Sequence, residues 1–185
     1  MDGEKIKKAV SSIIEAIGED AEREGLVDTP RRVAQMYEEF FSGLTQDPAK
    51  VLETGFEEGH QEMVILRDIP FFSICEHHFL PFYGIAHIGY MPNGRVVGAS
   101  KLARALDILS RRPQIQGRLT DQIVETIYKA IQPEGVAAVI SAEHMCMSIR
   151  GVKKSGSKVV TSASRGTFKT QAASKQEFFS LLRGT

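Results

Sequence analysis

Apolar residues recur at helical spacing in two stretches near the N-terminus of the chain. Residues 4–17 place five isoleucine and valine side chains on one helical face, and Gly18 is a suitable residue to end this helix. A second helix is predicted to begin at Asp28, a capping residue followed by Pro30 in the first turn, and to end at Gly43. We interpret residues 1–60 as an N-terminal helical extension.

From Glu62 onward the spacing of apolar residues changes to the pattern of strands, and Pro92-Asn93-Gly94 indicates a turn. The predicted strands cover residues 63–69, 82–90, 95–98, 136–142, 145–151 and 158–162, and the predicted helices cover 100–110, 113–131 and 175–183. Strands followed by two helices and then by further strands predict an α+β domain, spanning residues 61–185, with helices layered on one face of the sheet.

A sheet of about four strands with one covered face has exposed edges, which proteins usually protect. Pairing of these edges with further copies of the chain would protect them. We therefore expect a homo-oligomeric ring.

The composition narrows the range of partners. The chain has 185 residues and a net charge of zero, so no overall field attracts nucleic acid or an anionic membrane, and any anion site must be local. No apolar run approaches the roughly 20 residues of a membrane span, and the N-terminus lacks the features of a signal peptide. The two cysteines do not form a disulfide framework, which favours a reducing cytoplasm.

Both cysteines lie beside histidines, in a pattern typical of a metal site. Cys75 and His78 are separated by two residues, a usual spacing for two ligands on one turn. Cys146 follows His144 by two residues, and both would point to the same face if this segment is a strand. Two thiolates and one imidazole favour zinc over magnesium or calcium.

The residue pattern leaves open whether such a zinc site is structural or catalytic. A structural site needs a fourth protein ligand, which would be His77 or His144. A catalytic site keeps three protein ligands and a water molecule, and these two histidines would then be available for proton transfer near neutral pH.

Basic residues at the start of the helix over residues 100–110 predict an anion site. Lys101 and Arg104 share one helical face near the positive end of the helix dipole, where cations are unfavourable unless an anion binds. Arg150 would add a third cation if it lies on the same strand face as Cys146. Two solvated surface charges are the alternative interpretation.

Several motifs occur in one order along the chain, namely Cys75-Glu76-His77-His78, Gly98-Ala99-Ser100-Lys101, Arg112-Pro113-Gln114-Ile115-Gln116, His144-Met145-Cys146 and Thr161-Ser162. Together they resemble those of the GTP cyclohydrolase I family, whose members open the purine ring of GTP on the way to folate and related pterins. The resemblance extends from the Thr29-Pro30-Arg31-Arg32 segment nearly to the C-terminus. It implies the tunnelling fold, an antiparallel sheet with two helices on one face, and a toroidal homodecamer of two pentamers with active sites at subunit interfaces.

The resemblance also implies a role for individual residues. It makes Cys75, His78 and Cys146 the zinc ligands, His144 and His77 the proton-transfer histidines, and Ser100 the serine near the ribose. It assigns binding of the triphosphate to Lys101, Arg104, Arg150 and Arg32, and places Gln116 near the guanine. The product implied by this chemistry is 7,8-dihydroneopterin triphosphate, with formate released.

One residue departs from the family pattern. The family follows the glutamine with a glutamate that pairs with guanine, whereas this chain has Gly117. We therefore keep two alternatives: the same fold and zinc chemistry acting on a different purine nucleotide, and an oligomeric scaffold with structural zinc.

Overall fold

The structure is a computed structural model that describes residues 1–183, and the chain divides into two compact units after Ser42. The first unit contains the two predicted helices, α1 (Gly3–Ala16) and α2 (Thr29–Phe40). Asp2 caps α1 by accepting a hydrogen bond from the backbone N–H of Lys5. The two helices contact each other, and Val10 and Ile14 of the predicted apolar face of α1 are buried. Ile13 and Ile17 of the same predicted face are exposed, so the prediction holds for only part of that face.

The second unit begins at Gly43, earlier than the predicted domain boundary after residue 60. This difference arises because Leu52, in a short 3-10 helix at Lys50–Leu52, is fully buried in the core of this unit. The assignment of residues 61–185 as the catalytic domain stays a prediction.

The second unit contains most of the predicted strands and helices in the predicted order, together with short elements that were not predicted. Its strands are β1 (Gly55–Glu57), β2 (Val64–Cys75), β3 (Pro81–Met91), β4 (Arg95–Val97), β5 (Pro113–Gln114), β6 (Gly135–His144) and β7 (Lys158–Gly166). Its helices are α3 (Ala99–Ser110), α4 (Gln116–Ile131), α5 (Met145–Ser148), α6 (Thr167–Thr170) and α7 (Ala172–Arg183). This is a mixed α+β fold, as the sequence predicted.

Five strands form the main sheet, in the order β5-β2-β3-β6-β7, and β1 pairs with β4 in a separate ribbon. Neighbouring strands from β2 to β7 run antiparallel, whereas the short β5 runs parallel to β2. The register shifts in β2 between Leu66 and Ile69, where Asp68 has a φ of 57°. The sheet therefore has one strand more than predicted, because residues 113–114 pair with β2 instead of starting α4.

Helices α3 and α4 cover one face of the sheet, where Phe82, Ile88 and Tyr90 are fully buried. The prediction that only this face is covered is wrong. Phe178 of α7 packs on the opposite face, where a Cβ at Gly89 would lie 2.7 Å from its ring. Only glycine therefore allows α7 to approach β3 this closely.

The predicted strand over residues 145–151 is a second error, because Met145–Ser148 forms a helical turn. The last pair of the β3–β6 ladder joins Phe82 to His144, and β3 begins only one residue earlier, at Pro81. The chain after His144 thus has no strand to pair with on that side. Among residues 1–183, no helix has both the length and the apolar character that a membrane crossing requires.

Candidate active site

The ends of two strands bring both cysteines to one place. Cys75 is the last residue of β2, and Cys146 lies in α5 directly after β6. Phe82 of β3 pairs with Ser73 of β2 on one side and with His144 of β6 on the other, so these strand ends flank the start of β3. The register of the sheet therefore brings together in space two cysteines that are 71 positions apart in the sequence.

Cys75, His78 and Cys146 form a group whose ligand atoms all lie within 4.8 Å of one another. Cys75 is buried, Cys146 is half-buried and His78 is exposed. These three side chains can hold a metal ion. Within the described residues 1–183, neither His77 nor His144 belongs to such a group, so the geometry gives no support to a fourth protein ligand.

Two thiolates side by side in this group are unfavourable when no cation is bound. Burial and the neighbouring Cys75 thiol raise the pKa of Cys146, whereas the Arg150 guanidinium has a smaller opposite effect. A bound divalent cation reverses this preference, because metal ligation stabilises the thiolate. The group is therefore suited to a cation and ill suited to two free thiolates.

A tight turn holds His78 in position. The backbone N–H of Phe79 donates to the carbonyl of Cys75, and the N–H of Cys75 donates to the carbonyl of Leu80, both at 2.9 Å. Phe79 has a φ of 52°, which is unusual for a large side chain and marks a sharply bent backbone. This turn carries both His77 and His78.

Glu76, in the same turn, is fixed by Arg118 of α4. Both nitrogens of the guanidinium fork contact the carboxylate, with Arg118 Nη2 lying 3.0 Å from Glu76 Oε1. The hydrogen bonds from Arg118 lower the pKa of Glu76. Nothing in the sequence predicts this pair, since one charged residue among many gives no signal of a partner 42 positions away.

His77 lies beside the metal group and faces solvent. Its Nδ1 is 3.8 Å from Sγ of Cys75, and 62% of its side chain is exposed. This position is compatible with proton exchange between water and the group.

His144 is held more firmly than His77. Its ring stacks on Phe82 with centroids 4.6 Å apart and planes 2° from parallel. Its Nε2 lies 2.7 Å from Oε1 of Gln116. Burial lowers the pKa of His144, because desolvation disfavours the imidazolium.

Gln116, at the start of α4, is part of a buried hydrogen-bond network. Only 3% of its surface is exposed. Its Nε2 lies 3.0 Å from the carbonyl oxygen of Ile140, 2.9 Å from that of Val159 and 3.1 Å from Thr161 Oγ1. The network thus joins α4, β6 and β7 to His144.

Arg150 reaches the metal group, although the prediction that it shares a strand face with Cys146 is wrong. Residues 145–148 are helical, so Arg150 does not follow Cys146 along a strand face. Its Nη1 nevertheless lies 3.2 Å from Nε2 of His78. Arg150 therefore places a positive charge at the exposed side of the group.

The predicted ribose serine and the other predicted triphosphate-binding residues lie at two places. Ser100, Lys101 and Arg104 are in the first turns of α3, and in the part of the chain that the structure describes, Lys101 and Arg104 form no side-chain hydrogen bond or ion pair. Arg32 lies in α2, where its Nη2 is 3.6 Å from Oδ2 of Asp28.

Gly117 is the exposed second residue of α4. A Cβ built at this position would meet no atom within 4 Å. The backbone does not require glycine here, because Gly117 is not among the glycines with positive φ. A larger side chain would therefore fit beside Gln116 without strain.

Comparisons with known proteins assign the family. The family described as GTP cyclohydrolase I matches residues 6–183. A protein of Dehalococcoides mccartyi named GTP cyclohydrolase 1 is 59% identical over 184 residues, covering 98% of this chain and 97% of that protein. The protein of the same name from Halalkalibacterium halodurans is 56% identical over 185 residues, covering 100% of this chain and 98% of that protein.

A third relative is the GTP cyclohydrolase 1 of Pelotomaculum thermopropionicum, 59% identical over 99% of this chain and 98% of its own length. The crystal structure of the archaeosine synthase QueF-Like in the apo form aligns with 59% of this chain and 97% of its own, at 18% identity and a TM-score of 0.47. The family match and the identities over nearly the full length confirm the resemblance seen in the motifs: this chain belongs to the GTP cyclohydrolase I family.

Proposed function

We propose that this protein binds zinc through Cys75, His78 and Cys146 and hydrolytically opens the guanine imidazole ring of GTP. The products are formate and 7,8-dihydroneopterin triphosphate, a precursor of folate and related pterins. The observation that carries this proposal is the group of three ligand atoms within 4.8 Å, beside two histidines that are not part of it. The family relationship supplies the substrate.

The donor set of the group fits zinc. Two sulfurs and one imidazole are soft or borderline ligands, which zinc accepts and which magnesium and calcium do not prefer. Three protein ligands are typical of catalytic zinc, whereas structural zinc usually has four. When bound, zinc supplies Lewis-acid activation, which lowers the pKa of a water molecule to about 7.

His144 is suited to protonate N7 of guanine while a water oxygen adds at C8. Its burial and its contacts with Phe82 and Gln116 fix the ring, so that a proton is delivered at a defined place. Cleavage of one bond from C8 to nitrogen leaves a formamide. A second water molecule hydrolyses this formamide, which breaks the other bond and releases the carbon as formate. His77, exposed beside Cys75, is suited to exchange protons with solvent.

The ribose opens, rearranges and closes on the freed amine with loss of water. Ser100 is proposed to assist at the ribose, and Lys101, Arg104, Arg150 and Arg32 to bind the triphosphate. Lys101 and Arg104 support this role, because two unpaired cations at a helix N-terminus are unfavourable until an anion neutralises them. The triphosphate takes no part in bond breaking, so these residues position the substrate.

Gly117 favours a second candidate, which is the same chemistry on a different purine nucleotide. The open space beside Gln116 offers no carboxylate to accept from the amine and N1–H of guanine. The nearby acidic residues are already engaged: Glu76 by Arg118, and Glu143 by the Gly156 N–H and the Ser148 hydroxyl. Both carboxylates therefore already have partners within the chain.

We further propose the tunnelling fold, a toroidal homodecamer of two pentamers with sites at subunit interfaces, and a cytoplasmic location. The face of the sheet opposite α3 and α4 supports self-association, because part of it remains apolar and exposed. Tyr83 and Ile85 of β3 are 49% and 37% exposed, and Val160 of β7 is 64% exposed. Ser141 pairs with both Ile85 and Val160, so these two side chains lie in one row across the sheet.

The decisive experiment measures zinc content and formate release together. The purified protein should contain about one zinc per subunit and release formate from GTP. The Cys146→Ser variant should lose both while remaining folded and assembled, and the metal-depleted parent should regain activity when zinc is restored.

Three results would contradict parts of this proposal. Full activity without metal would exclude a catalytic zinc. Zinc without formate from any purine nucleotide would indicate a structural site in a scaffold. Formate from another nucleotide at a higher kcat/KM than from GTP would favour the second candidate.

A further inference from the structure

We propose that Gln116 is a positioning residue that holds neutral His144 with its hydrogen on Nε2, which leaves the lone pair on Nδ1. This inference rests on the proposed function only for the role of His144 in the reaction. The tautomer itself follows from the hydrogen-bond network and can be measured without any turnover.

The orientation of the Gln116 amide is decided by its partners. The two ends of a glutamine amide look alike, so the hydrogen-bond network must distinguish them. The carbonyl oxygens of Ile140 and Val159 lie 3.0 and 2.9 Å from one end, and carbonyl oxygens only accept. That end is therefore the donor Nε2, and the oxygen faces His144.

The hydrogen on His144 follows from this orientation. Oε1 of Gln116 can only accept, and it lies 2.7 Å from Nε2 of His144. The imidazole must donate across this contact, and a neutral imidazole carries a hydrogen on one nitrogen alone. Nδ1 then holds the lone pair, and under the proposed function it is the ring nitrogen that remains for proton transfer.

The network gives both polar atoms of the Gln116 side chain a partner. Its amide hydrogens face three acceptors, its oxygen faces His144, and its backbone carbonyl accepts from Thr120 Oγ1 at 2.7 Å. Thr120 in turn lies 2.6 Å from Thr161 Oγ1. The predicted contact of the Gln116 side chain with guanine would break bonds that are already satisfied in a buried place. Positioning of His144 by Gln116 requires none of these hydrogen bonds to break.

Gln114 provides a matched control two residues earlier. It is also a buried glutamine, 2% exposed, and its Nε2 donates to the Leu109 carbonyl and to Gln122 Oε1, both at 2.9 Å. Within residues 1–183, the Gln114 side chain forms no hydrogen bond with His144. Removing its amide disturbs the core near α4 without touching the imidazole.

The test is 15N NMR of the zinc-loaded protein with ring-labelled histidine, at about two pH units above the ordinary imidazole pKa of about 6.5. Signals of His144 are assigned by their loss in His144→Ala. The parent should show Nε2 carrying hydrogen and Nδ1 without it. Gln116→Leu should show a mixture of both tautomers, whereas Gln114→Leu should match the parent.

Kinetics separate positioning from substrate contact. Gln116→Leu should lower kcat by roughly 10- to 100-fold, with little change in KM and full zinc content. This decrease is part of the roughly 10²–10⁴-fold rate contribution of a general acid. Gln116→Met serves as a second, more flexible variant if leucine prevents folding. A raised KM with unchanged kcat would instead make Gln116 a guanine contact.

Two findings would overturn the inference: a parent with the hydrogen on Nδ1 of His144, or a Gln116 variant with an unchanged tautomer. The parent spectrum, assigned with His144→Ala, gives the first answer, so this answer does not depend on a Gln116 variant folding. If the tautomer is as expected but GTP is not hydrolysed, the positioning stands and the proposed reaction fails.

Discussion

Arg118 holds Glu76 with both nitrogens of its guanidinium fork, with Nη2 lying 3.0 Å from Oε1. Glu76 directly follows Cys75, and Arg118 lies two residues after Gln116 in the first turn of α4. One ion pair therefore joins the turn that carries His78 to the helix that supports His144. Forked arginine–carboxylate pairs fix geometry as well as charge.

We predict that Arg118→Gln weakens zinc binding by about tenfold, since residues that orient metal ligands typically contribute 10–100-fold to affinity. Competition with a chromogenic chelator measures the change. Arg165→Gln is the control, because Arg165 pairs with Asp121 and Glu125 of the same helix. Equal zinc affinity in both variants would show that the Glu76–Arg118 pair does not position the turn.

The same pair predicts a pH dependence of stability. Arg118 lowers the pKa of Glu76 below its ordinary 4.5, so the folded state binds this proton less readily than the unfolded state. The stabilisation is therefore present above pH 4.5 and is lost as the pH falls through the lowered pKa. In metal-free protein, Tm of the parent should exceed that of Glu76→Gln at pH 7 and converge with it at low pH. A gap that stays constant with pH would contradict this assignment.

His144→Ala should retain zinc while turnover falls by roughly 10²–10⁴-fold, because a general acid is lost and no ligand is removed. Zinc content and formate release, measured on the same sample, check both parts. Loss of zinc from His144→Ala would make His144 a fourth ligand and the site structural.

Neutralising Lys101 or Arg104 should weaken binding of GTP much more than binding of guanosine, because the proposed contact is with the triphosphate. Added salt should reduce the difference, since Arg104 is exposed. Dissociation constants of both ligands test this, with Lys169→Gln as a surface control. Equal effects on GTP and guanosine would assign these residues to the fold or the surface.

Gly117→Glu should raise kcat/KM for GTP by roughly 10- to 100-fold, because hydrogen bonds to a carboxylate contribute about 1.5–3 kcal/mol each. The open space at this position admits the side chain. Gly117→Gln is the matched control: it removes the same helix-weakening glycine but adds no charge. Because the parent lacks this carboxylate, it should process GTP poorly.

An equal gain in both Gly117 variants would indicate a helix effect. A parent already as active as Gly117→Glu would show that this position does not bind guanine in this chain.

The sequence by itself determined the family, the residue types of the metal group and most of the secondary structure. These features are local: Cys75 and His78 lie on one turn, and helical or strand spacing repeats within a few residues. The α+β class followed from the order of such elements. Gly117 was likewise identified from the sequence, because it departs from a linear motif of the family.

The tertiary structure decided which distant residues meet. The strand β6 ends at His144 because β3 extends only one residue beyond its partner Phe82, so the chain turns and brings Cys146 to Cys75. The contacts of His144 with Gln116 and of Glu76 with Arg118 likewise join separate elements. Strand register and helix packing set these contacts, and both depend on the whole sheet instead of any local spacing.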